Sequence, residues 1–347
     1  MNIRRTAAAV TAVAAMTALA ACGNGDDNGG EDADDDANGE AGGPVELRIG
    51  EEGDFTEELE MATGGTGGVY YPLGGGIADI IENNTDALVN YQESGGSVDN
   101  LGQLFGGDAQ LGLTQNDTAN DAVHGQLEGL EDIPLDNIGW IAHLYPEAMH
   151  IVVRADSGIE SIEDLEGQTI AVGDTGSGTR AISDAILEAH GLEEGDYDAE
   201  IAEFADTTDM LSDGTIDASM FVVGVPVASL TQLAASTDVT LLSIEDDVAA
   251  EIAEGGYYEA YDIDADSYDF LDEDVTTISV FAALAASSTE VSEDLAYDIT
   301  AAFWENKDSI TVDVDLVDID EALLGIGDIP IHPGAERYYE EEGIDIP

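Results

Sequence analysis

Seventy-seven acidic residues stand against seven basic ones in this chain, a formal net charge of −70 over 347 residues. That imbalance restricts the fold more than any motif does. Ion pairs can satisfy only a handful of the acids, so the rest must lie on a solvated surface whose charges repel one another and work against compaction. Yet 44% of the residues are hydrophobic, enough to bury a core, so the chain is not a disordered polyanion. At about 1 M salt the Debye length falls to about 3 Å and most of the repulsion vanishes. The composition is that of a halophilic protein. With no basic patch to neutralise phosphates, nucleic acid is excluded as a partner.

The N-terminus directs the chain out of the cell. Arg4 and Arg5 precede an apolar run, residues 6–21, too short to span a bilayer stably. The run ends in Leu19-Ala20-Ala21-Cys22, which resembles a lipobox, and Cys22 is the sole cysteine. Residues 1–21 read as a signal peptide, with Cys22 lipidated as the mature N-terminus and no disulfide available. Removing them takes two positive charges and no acid, leaving −72. Residues 22–44 are polar and acidic, a self-repelling tether between lipid and folded domain. The salt that suits the composition therefore lies outside the cell.

From there the chain alternates between strand and helix patterns. Strands are expected at Glu46–Glu51, Glu58–Thr63, Leu88–Ser94, Ala109–Asp117, 139–145, 149–156, Thr169–Gly173, 217–224, 239–244 and 276–287. Helices are expected at Val69–Glu82, Val98–Phe105, from Thr118 and within 290–310. This spacing predicts an α/β fold with largely parallel pairing.

Two loops carry the clearest chemistry. "MATGGTGGVYYPLGGGIADII", residues 61–81, holds seven glycines ahead of and inside a helix start. Dense glycine costs folding entropy, so bare backbone is needed there. Exposed amides at a helix N-terminus favour an anion by roughly 0.3–2 kcal/mol. Thr66, Gly67, Gly68 and Val69 would let a ligand approach, with Tyr70 as a wall. The match to a G-x-G-x-x-G dinucleotide loop fails at Tyr70, where a third small residue belongs. "GDTGSGTR", residues 173–180, repeats the arrangement with Gly176, Ser177, Gly178 and Thr179. It nearly spells a phosphate loop, but Thr179 stands where lysine is required. Small hydroxyls and bare amides suit a carboxylate instead. Arg154 and Arg180 are candidate anion partners near this second loop.

Other signals are weak. Asp262–Glu273 places acids at the first, third, fifth and twelfth positions of a calcium loop, with Ser267 where glycine belongs. In a chain this acidic such a match arises by chance. The five histidines have no metal-ligand spacing, and Ser177 is not in a G-x-S-x-G elbow. No enzyme, metal or cofactor is expected.

The motifs "TGGTGGVYYPLGGGIADII", "ESGGSVDNL", "TQNDTA", "RADSGIESIEDLEGQTIAVGDTGSGT", "DGTIDASMFVVGVPVASL" and "HPGAERYYEEEG" run in the order of the TAXI family, the solute-binding proteins associated with TRAP transporters, and the chain resembles that family from about Arg48 to Gly343. The resemblance implies a two-lobed periplasmic-binding-protein fold, type II-like, each lobe a mixed sheet flanked by helices. Lobe one would be residues 45–148 plus 276–347 and lobe two 149–275. It implies a monomer that captures a small carboxylate such as glutamate, glutamine or 2-oxoglutarate and delivers it to TRAP membrane subunits. Ser94, Ser97, Gln115, Asn116, Gly224 and Pro226 join the expected ligand contacts. It also turns the acidic stretch at 262–273 into a surface loop. A lipid-anchored sensor or surface antigen of the same fold, with no transporter, is the alternative.

Overall fold

In a computed structural model, residues 45–254 and 257–347 are described. The expected signal peptide, Cys22 and the acidic tether lie outside them.

The first strand, β1 (Glu58–Ala62), leads through the glycine loop into α1 (Tyr70–Asn84), which returns to β2 (Leu88–Gln92). Then come α2 (Ser97–Gly106), β3 (Leu111–Gln115) and α3 (Asn116–Val123). A long strand, β4 (Ile138–Arg154), enters the second half of the molecule. There follow β5 (Thr169–Ala171), α4 (Thr179–Ala189), β6 (Asp198–Glu200), α5 (Phe204–Asp213), β7 (Ala218–Val223), α6 (Ala228–Ala234), β8 (Val239–Leu241), α7 (Asp246–Ala253) and β9 (Glu259–Ile263). A second long strand, β10 (Val275–Ser287), comes back, and α8 (Glu293–Asn306) and α9 (Pro333–Glu342) finish the chain.

All ten strands join one mixed sheet in the order β2-β1-β3-β10-β4-β7-β5-β6, with β8 also on β4 and β9 also on β10. The expected largely parallel pairing holds only at the two ends: β1 pairs parallel with β2 and β3, and β5 with β6 and β7. The centre is antiparallel because β10 returns between β3 and β4, facing both.

Alternate residues of the long strands feed opposite faces, as a pleated strand requires. On β10, Ala282, Leu284 and Ala286 pack with Leu73, Ile77 and Phe303, while Ala283 and Ala285 pack with Leu101, Leu104 and Trp140. In the second half, Met220 and Val222 of β7 join Ile170, Ile182 and Ile186, whereas Phe221 and Val223 join Leu211, Leu230 and Tyr268. With helices over both faces, the strands read as near-continuous apolar runs.

Two expectations fail here. Residues 139–145 and 149–156 are one strand, not two, although Pro146 lies between them. The ladder to β7 starts only at Ala148, so Pro146 falls where β4 has no β7 partner and a missing donor costs little there. Glu46–Glu51 is not a strand: Arg48 instead hydrogen-bonds Asp136 through its backbone amide, and its Nε lies 2.9 Å from Asp136 Oδ1. The stretch 262–273 runs out of β9 into a short 3-10 turn at Ala265–Ser267, with Asp262 accepting a hydrogen bond from Thr276 at 2.9 Å.

Candidate functional site

The glycine loop and the start of α1 face the second half of the molecule across a cavity of about 820 Å³, counting its open mouth. Four helices begin on it, α1 and α2 from the first half and α4 and α5 from the second. Neither α1, whose N-cap is Val69, nor α4, whose N-cap is Gly178, has a side-chain cap, so their first-turn amides are not bound by their own cap residues. Gly67, Gly68, Tyr70, Ser94 and Ser97 line it from the first half and Ser177, Gly178 and Thr179 from the second, with Gln115 between them. These nine are the predicted residues that the fold brings together.

The others stand elsewhere. Thr66, Val69 and Pro226 border a second recess on the far side of the glycine loop, Thr66 with its amide 3.4 Å from Glu93 Oε1. Asn116 opens α3 instead of ending β3, and its side chain holds the backbone: Oδ1 accepts from Phe281 N at 2.8 Å and Nδ2 donates to Gly325 O at 3.1 Å. Gly224 packs against Tyr145 and Val314. Gly176 is a contact between halves, its carbonyl accepting from Asp99 N at 3.0 Å. Neither arginine reaches the cavity. Arg154 donates to Leu211 O and Ile216 O, both at 3.1 Å, and Arg180 is tied to Asp184 at 2.7 Å on the flank of α4.

The remaining described bases are also engaged: Arg48 with Asp136, Lys307 with Asp318 at 3.4 Å and Arg337 with Glu293 at 2.7 Å. Among the described residues, no lysine, arginine or histidine lines the cavity. Any negative group on a ligand is therefore left to backbone amides and hydroxyls.

The glycines serve closeness between halves as much as closeness to a ligand. A Cβ on Gly67 would lie 3.0 Å from Ala205 Cβ and 3.1 Å from Ala205 N, at the start of α5. The Gly67 carbonyl accepts from Ser229 Oγ at 2.7 Å, a second tie across the gap. A Cβ on Gly178 would fall on the amide oxygen of Gln115 and against Thr118 Oγ1. Only glycine lets these segments meet.

Sequence reasoning missed the floor of the cavity. Glu147, on β4, is 3% exposed yet lines it. Its carboxylate accepts from Tyr145 Oη at 2.9 Å, Gln115 Nε2 at 3.0 Å and Tyr70 Oη at 3.1 Å. Burial pushes its carboxyl up to about 7, against the pull of those donors and with Asp117 adding to the rise. Asp174 and Glu203 also line the cavity, so its side-chain charge is negative. Met220, Phe204 and Phe221 supply an apolar wall, the two rings 3.8 Å apart. Gln115 itself is placed by its backbone amide, which donates to Ser97 Oγ at 3.1 Å. Two buried polar atoms at the cavity, Gln115 Oε1 and Ser177 Oγ, have no hydrogen-bond partner among the described residues.

The space is lined by main chain and polar side chains from two halves of one sheet. The chain is a member of the NMT1-like family, whose model matches residues 61–343, and that family is of the periplasmic solute-binding type. Solved structures similar to it include the alkanesulfonate-binding protein SsuA from Xanthomonas axonopodis pv. citri bound to MOPS, at 14% identity over 82% of this chain and 84% of that one, with a TM-score of 0.46. A protein from Bordetella bronchiseptica RB50 matches at 20% identity over 82% of each chain, TM-score 0.49. PhnD1 from Prochlorococcus marinus (MIT 9301) in complex with methylphosphonate matches at 12% identity over 72% of this chain and 84% of that one, TM-score 0.49.

Proposed function

We propose that this chain is the extracytoplasmic receptor of a TRAP-type secondary transporter, held to the membrane through lipid on Cys22 and closing on a small carboxylate of the glutamate, glutamine or 2-oxoglutarate kind. The observation that carries the reading is the cavity lined by uncapped helix starts from both halves of the sheet. A carboxylate held by amides of both halves makes binding and closure one event, and each hydrogen bond to a charged group is worth about 1.5–3 kcal/mol.

The halves are the two lobes. Core membership supports a boundary on β4 between Tyr145 and Ala148, just ahead of the expected 148/149, and on β10 between Val280 and Ala282, some residues beyond the expected 275/276. Pro146 and Phe281 face each other there, in register. Binding in that reading rotates one lobe against the other about the two long strands, and the closed form is what the membrane subunits receive. The acidic composition supports a working medium of high salt.

Mass spectrometry of solutes released from the purified, denatured protein tests this directly. A stoichiometric small carboxylate is the expected result. A protein that carries no solute, and shows no heat of binding with glutamate, glutamine or 2-oxoglutarate at about 2 M NaCl, refutes it. Finding the chain in complex with TRAP membrane subunits, by co-purification of its lipid-anchored form, tests the transporter part.

A further inference from the structure

The cavity presents three carboxylates, Glu147, Asp174 and Glu203, and no cationic side chain among the described residues. A solute carrying only negative charge would leave its anionic groups to backbone amides in a space that these three acids line. Like charges in a partly desolvated site repel. A solute that brings its own positive charge reverses the sign of that interaction.

Glu147 is built for such a charge. It lies where β4 passes between the two halves, one residue after Pro146 and one before the β7 ladder begins at Ala148. Three donors fix it: Tyr145 on one carboxylate oxygen, Tyr70 and Gln115 on the other. A carboxylate offers about four lone-pair sites, so one remains for a fourth donor. Every protein partner in that set donates, so the group is held as an acceptor. Next to it, Gln115 Oε1 is a second buried acceptor without a donor among the described residues. Two acceptors short of donors, in a cavity that no described lysine or arginine lines, fit a donor-rich cation such as an ammonium group.

We propose that the solute bears a protonated amine recognised by Glu147, and that this residue, resting on the solute-receptor reading above, selects amino-acid-like zwitterions over dicarboxylates that lack nitrogen. The carboxylate end of the zwitterion goes to the helix starts and the ammonium end to Glu147. Between the candidate solutes this favours glutamate and glutamine and excludes 2-oxoglutarate. Buried charges are held when they are paired, and a bound ammonium supplies the pairing that the protein itself does not.

Matched solutes differing at the second carbon test it: L-glutamate against 2-oxoglutarate and glutarate, titrated calorimetrically at about 2 M NaCl, alongside mass spectrometry of the co-purified solute. The expected result is at least a tenfold preference for the amine-bearing member, or a co-purified solute with a primary amine. Glu147→Gln should reduce that preference to within about threefold while its melting temperature in the solute-free state stays at or above that of the parent. Glutarate or 2-oxoglutarate binding as tightly as glutamate overturns the proposal and leaves the receptor reading intact; so does a co-purified solute without nitrogen, or a Glu147→Gln variant that keeps the full preference. A chain that carries no solute and responds to none of the three overturns both readings together.

Discussion

Gly67→Val strikes the approach of the two halves without touching the core. The Cβ it introduces would stand 3.0 Å from Ala205 Cβ and 3.2 Å from Ala205 Cα, tighter than ordinary van der Waals contact. Valine adds two methyl groups beyond that atom, and the neighbour is backbone at the start of α5, which cannot swing aside. Overpacking of this kind costs about 1–3 kcal/mol. The loop can avoid it by moving away from α5, which stretches or breaks the 2.7 Å hydrogen bond from Ser229 Oγ to the Gly67 carbonyl, worth about 0.5–1.5 kcal/mol. By one route or the other the closed arrangement loses about 0.5–3 kcal/mol relative to an open one. At about 1.4 kcal/mol per tenfold, binding weakens between roughly two-fold and about a hundredfold. The open form bears none of this cost, so the melting temperature of the solute-free protein should stay within a few degrees of the parent. Calorimetry with the co-purified solute measures the first quantity, and small-angle scattering with and without it should show the variant failing to contract. Parent-like affinity, or contraction on adding solute, would refute the claim that Gly67 is small for the sake of closure.

Three further expectations can be checked with the same material. Glu147 and Asp117 both have carboxyls pushed by burial up to about 7 from ordinary values of 4.5 and 3.8. The folded chain thus holds protons that the unfolded chain releases. Their stabilising contribution is full below about pH 4 and lost as pH rises through 7, each tenfold difference in proton binding between the two states being worth about 1.4 kcal/mol. Tyr70, Tyr145 and Gln115 face Glu147, and Thr118, Asp121 and Tyr258 face Asp117. Melts of the solute-free protein in about 3 M NaCl should fall between pH 5 and 8, with a shallower slope for Glu147→Gln; an unchanged slope would remove Glu147 from that account. Melting temperature should also climb steeply between about 0.1 and 3 M NaCl, because the surface repulsion is screened; a flat curve would sink the reading of the composition as halophilic. Cys22→Ser should release the chain from membranes into the medium, and retention in the membrane fraction would show that something other than lipid at this residue holds it.

The glycine loop and "GDTGSGT" were legible as paired helix starts because glycine and small hydroxyls concentrate there against a background of acids and alanine. What they do was only half legible. Nothing in the sequence says that Gly67 meets Ala205, since that contact joins residues 138 positions apart across the fold. α5 was missed because Phe204–Asp213 has only Thr207 and Leu211 buried, too few apolar positions to mark a helix. Glu147 was missed for the opposite reason: in a chain with 77 acids, one more draws no notice. Its signal was its isolation, as the sole acid between Asp136 and Asp156 in a mostly apolar run. The arginines misled because rare cations look purposeful in so acidic a chain. The fold instead sets them against nearby carboxylates and carbonyls.

Several contacts that draw the halves together use main chain: the Gly67 carbonyl, which accepts from a serine hydroxyl, and the Gly176 carbonyl with the Asp99 amide. Such groups carry no formal charge. Substitutions that add carboxylates to the exterior leave them untouched, and dissolved ions do not screen them as they screen surface charges. The grip and the coat of this receptor can therefore evolve apart. A lineage moving into brine can rewrite most of its exposed residues, one acid at a time, without renegotiating which molecule it carries.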